Sequence, residues 1–93
     1  RKEISMVDFD IVWKRIQAHS GENFTQIRGK EFTYHAENGY IALDQTNQNI
    51  SQSDFEKAFQ LVPLPGTTPV QNLRGPSYIY AILMDSRIRL SDW

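Results

Sequence analysis

Three basic stretches are the residues most suited to binding an anion, and the first runs from Arg74 to Tyr78. Arg74-Gly75-Pro76-Ser77-Tyr78 places an arginine and a hydroxyl at the start of a predicted helix. A helix start presents free backbone N–H groups, which together with Arg74 and Ser77 would suit a phosphate. The same residues also suit a tight, capped helix start with no ligand, and both interpretations remain open.

The other two stretches are Arg28 with Lys30, and Arg87 with Arg89. Arg28 and Lys30 fall at the tip of a predicted hairpin, where a contact with a nucleic-acid backbone is one interpretation. The alternative is that tip charges keep the hairpin in solution and protect its edge from pairing. The candidate nucleic-acid or anion-binding residues are therefore Arg28, Lys30, Arg74, Ser77, Arg87 and Arg89.

His19 and His35 are the residues best suited to proton transfer near neutral pH. His19 falls near the end of a predicted helix, where a cation is favoured by the helix dipole. His35 falls on the outer face of a predicted sheet with Asp44 across the hairpin, and a small enzyme would use His35 with Asp44 or Tyr40. Proton transfer needs a partner within hydrogen-bond distance. We expect a non-catalytic surface histidine and assign no catalytic residue.

Composition disfavours several other kinds of chemistry. The chain has no cysteine, so disulfides and thiolate-bound zinc or iron–sulfur sites are excluded. The histidines and carboxylates show no metal-ligand spacing. We therefore expect no metal and no cofactor.

The charge balance limits how a nucleic acid could be bound. Lysine and arginine number 10 against 11 aspartates and glutamates, for a net charge of −1. Proteins that bind nucleic acid through their overall field carry a basic excess, so binding here needs a local patch. No run approaches the roughly 18 apolar residues of a membrane span, and no signal-peptide region follows the charged start. We expect a cytoplasmic protein with no membrane contact, and the lack of an initiator Met leaves open that it is a domain of a longer one.

The first element that positions these residues is an amphipathic helix. Four apolar residues at helical spacing predict a helix over residues 6–20; they are Phe9, Val12, Trp13 and Ile16. Ser5 and Asp8 resemble a capping box at its start, and Gly21 would end it.

Turn residues then predict a three-stranded antiparallel meander. Asn38-Gly39 predicts a two-residue type I′ turn, pairing Glu37 with Tyr40, Ala36 with Ile41 and Tyr34 with Leu43. Gly29-Lys30 predicts a two-residue type II′ turn that pairs Ile27 with Phe32. The predicted inner face is Ile27, Phe32, Tyr34, Ala36, Ile41 and Leu43. The predicted outer face is Phe24, Gln26, Arg28, Thr33, His35, Tyr40 and Asp44, and the candidate protein interface is Phe24, His35, Tyr40 and Trp93.

Two further helices complete the predicted α+β domain, the 93 residues forming one domain. Residues 45–50 are predicted to form a loop. Ser53 and Glu56 predict the capping box of a second helix, which Pro63 ends. Residues 63–76 are predicted to form a long loop. Residues 76–85 predict a third helix, with a β-strand as the alternative. The tail, residues 87–93, either packs on the body or belongs to following sequence. The architecture is an N-terminal helix, a three-stranded meander and two helices on one sheet face.

Several segments together carry a resemblance that covers the chain from about Trp13 onward. They are Phe24-Thr25, Gly29 and Phe32-Thr33-Tyr34, then Ile50-Ser51 with Asp54 to Ala58, and Arg74 to Leu83. This succession resembles short uncharacterised bacterial domains associated with restriction, phage and other mobile-element proteins. The resemblance implies a bacterial accessory domain in a nucleic-acid-related context, and it carries no catalytic residue.

From these features we expect a non-enzymatic binding or accessory module that contacts nucleic acid through local basic patches. A protein-interaction or self-association domain using the outer sheet face is the first alternative. A small enzyme using His35 is the second. The sequence leaves the partner and the oligomeric state open.

Overall fold

The computed structural model describes residues 8–93, which fold into helices and two small antiparallel sheets. In chain order the elements are α1 (Phe9–Ala18), β1 (Phe24–Thr25), β2 (Glu31–Phe32), β3 (Tyr34–Glu37), β4 (Tyr40–Leu43), β5 (Asn49–Ser51), α2 (Gln52–Phe59), a 3₁₀ turn (Thr68–Val70), α3 (Pro76–Leu83) and α4 (Ser86–Arg89). The predicted α+β class, the N-terminal helix and a three-stranded antiparallel sheet are confirmed.

Helix α1 buries the predicted apolar face, which consists of Phe9, Val12, Trp13 and Ile16. Asp8 is its N-cap residue, and the predicted capping box with Ser5 lies outside the described residues. His19 is the C-cap residue, which confirms its place at the helix C-terminus.

The second hairpin has the predicted register. Glu37 pairs with Tyr40, and the ladder continues through Ala36 with Ile41 and Tyr34 with Leu43. Gly39 takes a positive φ of 89° but Asn38 does not, so the two-residue loop forms without the type I′ geometry that we predicted. The hydrophobic alternation fixes the register here, because a slip by one residue would expose Tyr34 and Leu43.

The first hairpin differs from the prediction. Its loop has three residues, 27–29, and is closed by hydrogen bonds from the Gln26 N–H to the Lys30 carbonyl and from the Gly29 N–H to the Gln26 carbonyl, both 2.8 Å. Gly29 ends the loop at φ 93°, as the left-handed last residue of a three-residue loop rather than the first residue of a type II′ turn.

The longer loop changes which side chains face inward. Phe24, instead of Ile27, is the partner of Phe32. Phe24 is therefore buried and Ile27 stands exposed at the tip, so the predicted outer position of Phe24 and inner position of Ile27 are both wrong.

The predicted meander is divided between two sheets. Strands β1 and β2 pair alone, and the chain changes partner at Thr33, whose carbonyl accepts a bond from the Asp44 N–H at 3.1 Å. The third strand of the larger sheet is β5, which falls partly in the segment that we predicted as a loop. Ile50 pairs with Ile41 and is buried between two polar residues, so a strand of only three residues carries the alternation.

The predicted second and third helices are present as α2 and α3. The N-cap of α2 is Ser51, whose hydroxyl accepts a bond from the Asp54 N–H at 3.1 Å, so the predicted capping box of Ser53 and Glu56 is wrong. Strand β5 runs directly into α2, which moves the helix start towards the N-terminus. The helix predicted over residues 76–85 is present as α3, which ends at Leu83, with Pro76 in its first turn.

The tail packs on the body through α4 and Trp93. Ile88 of α4 is buried, and the Trp93 indole N–H donates to the Leu83 carbonyl at 2.9 Å. The Trp93 ring meets Phe59 edge to face, with a centroid distance of 5.3 Å. Trp93 thus closes the C-terminal end of α3.

The core lies between the inner face of the sheets and the helices. Among its largest fully buried side chains are Phe24, Phe32, Tyr34, Ile41, Ile50, Phe55, Ile79, Ile82 and Ile88. The Tyr34 hydroxyl donates to the Ile16 carbonyl at 2.6 Å, and burial raises the pKa of Tyr34 far above its ordinary value. Between residues 8 and 93, no helix is both long and apolar enough to cross a membrane.

Candidate nucleic-acid interface

The six candidate anion-binding residues separate into two regions of the fold. Arg87 and Arg89 belong to α4, which packs on α1. Arg28, Lys30, Arg74 and Ser77 belong to the first hairpin and to the start of α3. The two regions differ in whether their cationic groups already have partners.

Arg87 is surrounded by partners of its own chain. Its guanidinium donates to both carboxylate oxygens of Asp85 at 2.8 and 2.9 Å, to Glu22 at 3.0 Å and to the Asn23 carbonyl at 2.7 Å. The same guanidinium lies 3.9 Å from the centroid of the Phe24 ring, within the range of a cation–π contact. Arg87 therefore fastens α4 to the first hairpin, and few of its donors remain for a phosphate.

The charged groups around Arg87 stabilise one another in their ionised forms. Burial would raise the pKa of the Asp85 carboxyl, but hydrogen bonds from the Arg87 side chain and backbone and its charge outweigh burial and hold the pKa low. Hydrogen bonds from His19 and Arg87 lower the pKa of Glu22. Hydrogen bonding to Asp85 in turn raises the pKa of Arg87. The group is an internally neutralised cluster.

Arg89 and Arg15 hold the end of α4. Arg89 donates through Nε to the Trp93 main-chain oxygen at 2.7 Å. Arg15 reaches from α1 to the Ile88 carbonyl at 2.9 Å and forms an ion pair with Asp92 at 2.8 Å. Sequence reasoning did not identify Arg15, because its partners lie more than 70 residues away along the chain.

The first hairpin is fastened to the N-terminal end of α3. The Ser77 hydroxyl donates to the Gln26 side-chain oxygen at 2.9 Å, and the rings of Phe32 and Tyr78 meet edge to face at 4.9 Å. Ser77 thereby fixes the hairpin base, and its hydroxyl hydrogen is already used there. Arg28 and Lys30 are exposed beyond this contact, at the hairpin tip.

Arg74 lies three residues before Ser77 and is exposed. Its backbone N–H points at the Asp54 carboxylate, at 3.4 Å, while Gly75 takes a positive φ of 66° beside Ile50. We use the term cationic end for Arg28, Lys30 and Arg74, which belong to the two segments that the Gln26–Ser77 bond joins. The Gln26–Ser77 contact brings together residues that are more than 40 positions apart in the sequence.

The outer face of the larger sheet holds the other candidate residues. His35 pairs with Ala42 as predicted, and Tyr40 stands beside Ser51 of β5. Phe24 is absent from this face, and Trp93 packs near Phe59 at the other end of the chain. Of the four predicted interface residues, the structure leaves His35 and Tyr40 on the outer face.

His35 and Asp44 are in contact, as their register predicts. His35 Nδ1 lies 2.6 Å from one Asp44 carboxylate oxygen, and the Thr33 hydroxyl donates to the other. The hydrogen bond from Thr33, followed by the one from His35, lowers the pKa of the Asp44 carboxyl. The His35 side chain is 62% exposed on an open sheet face, so the pair is solvated. Across residues 8–93, no group of three or more histidines and carboxylates is placed to hold a metal ion.

Comparison with known proteins gives no relative of this chain. No family model, no curated protein and no solved structure matches it.

Proposed function

We propose that this chain is a non-enzymatic accessory module that contacts a nucleic-acid backbone through its cationic end. The supporting observation is that Arg28, Lys30 and Arg74 are all exposed. They belong to the two chain segments that the hydrogen bond between Gln26 and Ser77 joins. The resemblance to short domains of bacterial restriction and phage proteins agrees with such a role. On this proposal the module works in the bacterial cytoplasm, where the DNA is.

The net charge predicts how such a contact would behave. A chain of net charge −1 has no long-range field that attracts DNA, so binding would be weak and confined to the cationic end. Each neutralised phosphate of B-DNA contributes about −0.9 to the slope of log K against log salt. Three contacts therefore predict a slope of about −2.7.

The test is fluorescence anisotropy of a labelled DNA duplex, titrated with the full chain at several salt concentrations from low ionic strength upward. A double variant that carries Arg28→Gln and Arg74→Gln removes two of the proposed phosphate contacts. Lys14→Gln with Lys57→Gln is the matched control, because it changes the net charge equally at exposed positions on α1 and α2.

The two double variants separate a local contact from an overall charge effect. We expect the first to reduce the magnitude of the salt slope by about 2 and the control to leave it almost unchanged. Equal losses in both variants would mean that no local patch binds. Absence of salt-dependent binding by the wild-type protein at low ionic strength would end the proposal.

A second candidate function is protein interaction or self-association through the outer face of the larger sheet. This face carries Tyr40, which is 37% exposed, among polar residues and Ala42, and aromatic side chains are common anchors of interfaces. Analytical ultracentrifugation over a wide concentration range tests self-association. A monomer at every concentration would remove the homodimer, and Tyr40→Ala would lower the association constant if this face mediates it.

A further inference from the structure

The tip of the first hairpin presents an exposed apolar side chain in the same short loop segment as two cations. Ile27 is 56% exposed, although a large aliphatic side chain gains free energy from burial. Arg28 follows it directly, and Lys30 lies on the other side of the loop. The core of the protein makes no use of Ile27, because the three-residue loop turns Phe24 inward in its place.

The tip is a turn closed by hydrogen bonds. Two main-chain hydrogen bonds of 2.8 Å close the loop, and Gly29 supplies the positive φ that the loop needs. The Gln26 side chain is bonded to Ser77, so the hairpin base cannot swing away from α3 without losing that bond. Ile27 is therefore presented by a preorganised turn, which lowers the entropy lost on binding.

We propose that Ile27 is an apolar wedge that enters between two base pairs of a DNA duplex while Arg28 and Lys30 bind the flanking phosphates. This inference rests on the proposed function and specifies how the cationic end meets its ligand. Proteins that bend DNA from the minor groove commonly insert an isoleucine, leucine or phenylalanine into a base step. Flexible pyrimidine–purine steps such as TA unstack most easily and would be preferred.

The charges and the single apolar residue favour a duplex over a lipid surface. One isoleucine with three cations would bind a bilayer weakly, since stable membrane anchoring takes a larger apolar area or a second signal. At a base step, one side chain is sufficient, because stacking is interrupted at that step alone. The partner with the best complementarity is therefore a deformable duplex.

The experiment uses the full chain and a DNA duplex in which 2-aminopurine replaces the adenine of a central TA step. The fluorescence of 2-aminopurine rises when this base is unstacked. We expect the wild-type protein to raise the fluorescence and Ile27→Ala to abolish the rise while weakening binding by about tenfold. Ile27→Leu should keep both within about twofold, because it retains the apolar volume. Ile11→Ala is the control, since Ile11 is also an exposed isoleucine but lies on α1.

The outcomes distinguish the wedge from the binding function. Salt-dependent binding that is equal in wild type and Ile27→Ala, with no change in fluorescence, would overturn the wedge and leave the proposed function standing. No binding to any duplex would overturn both. Binding to vesicles of phosphatidylserine and phosphatidylcholine that depends on Ile27, without any 2-aminopurine response, would overturn the wedge in favour of a lipid surface.

Discussion

The first hairpin and helix α4 both carry a pair of basic residues two positions apart, yet the fold uses them differently. Arg87 and Arg89 bind carboxylates and main-chain oxygens of their own chain. Arg28 and Lys30 extend from a tip that is anchored at its base and exposed beyond it. Within residues 8–93, the fold thus supplies acceptors for the side chains of one basic pair and leaves those of the other exposed.

The difference arises from the neighbours that each segment meets. Asp85 precedes Arg87 by two residues and caps α4 through a bond from the Arg87 N–H, which places the carboxylate beside the guanidinium. At the hairpin tip, no ion pair within residues 8–93 joins Arg28 or Lys30 to a carboxylate, and Glu31, which follows Lys30, is the strand partner of Thr25. The comparison predicts that changes in α4 affect stability and changes in the hairpin tip affect binding.

The largest effect on stability should follow Arg87→Ala. The variant loses the hydrogen bonds to Asp85, Glu22 and Asn23 and the contact with Phe24. Because the side chain is about a third exposed, solvent screening reduces the gain from these bonds, and we expect the free energy of unfolding to fall by about 2 kcal/mol. Urea denaturation measures it. A loss no greater than that of Arg28→Ala would contradict the structural role of Arg87.

A smaller loss is expected for Arg15→Ala. This change removes the bond to the Ile88 carbonyl at the end of α4 and the ion pair with Asp92. A cation that donates a hydrogen bond at the C-terminal end of a short helix contributes about 1 kcal/mol to the free energy of unfolding. The same urea measurement applies, with Lys14→Ala on the exposed side of α1 as the control. Equal stability of the two variants would show that α4 does not need Arg15.

Acid should weaken the α4 region more than the hairpin tip. The pKa values of Asp85 and Glu22 are lowered in the fold from ordinary values of 3.8 and 4.5. A carboxyl with a lowered pKa contributes stability above its unfolded-state pKa, and that contribution is lost as the pH falls through the lower folded-state value. Wild type should therefore lose more stability than Arg87→Ala between pH 5 and pH 3, in denaturation followed at each pH. Parallel curves would contradict the coupling.

The smallest effect is expected for Arg28→Ala and Lys30→Ala, separately or together. Neither side chain has an internal partner within residues 8–93, so the free energy of unfolding should change by less than about 0.5 kcal/mol. Thermal denaturation of the two variants beside the wild type is sufficient. A cooperative loss of stability would mean that the tip is structural, and the contrast with α4 would fail.

Sequence patterns predicted the elements whose signal is local. The α1 face, the register of the second hairpin and the helix from Pro76 onward follow from apolar spacing and turn residues, and they agree with the structure. The contact of His35 with Asp44 also followed from that register.

The failures share a physical cause, which is that the deciding interactions are distant or ambiguous. A single glycine can end a three-residue loop or begin a two-residue turn, and that ambiguity misplaced Phe24 and Ile27. Strand β5 is too short to show an apolar alternation by itself, and it is recognised as a strand only through the pairing of Ile50 with Ile41. The contacts of Arg87 with Glu22 and Asn23, which lie 65 and 64 residues away along the chain, are not visible in any local pattern.

The most direct test of the account is a backbone NMR titration of the full chain with a short DNA duplex at low salt. Binding through the cationic end predicts amide shifts that concentrate at residues 26–31 and 73–77, with α4 and the outer sheet face unchanged. Shifts that concentrate at Arg87 and Arg89, or around His35 and Tyr40, would contradict it.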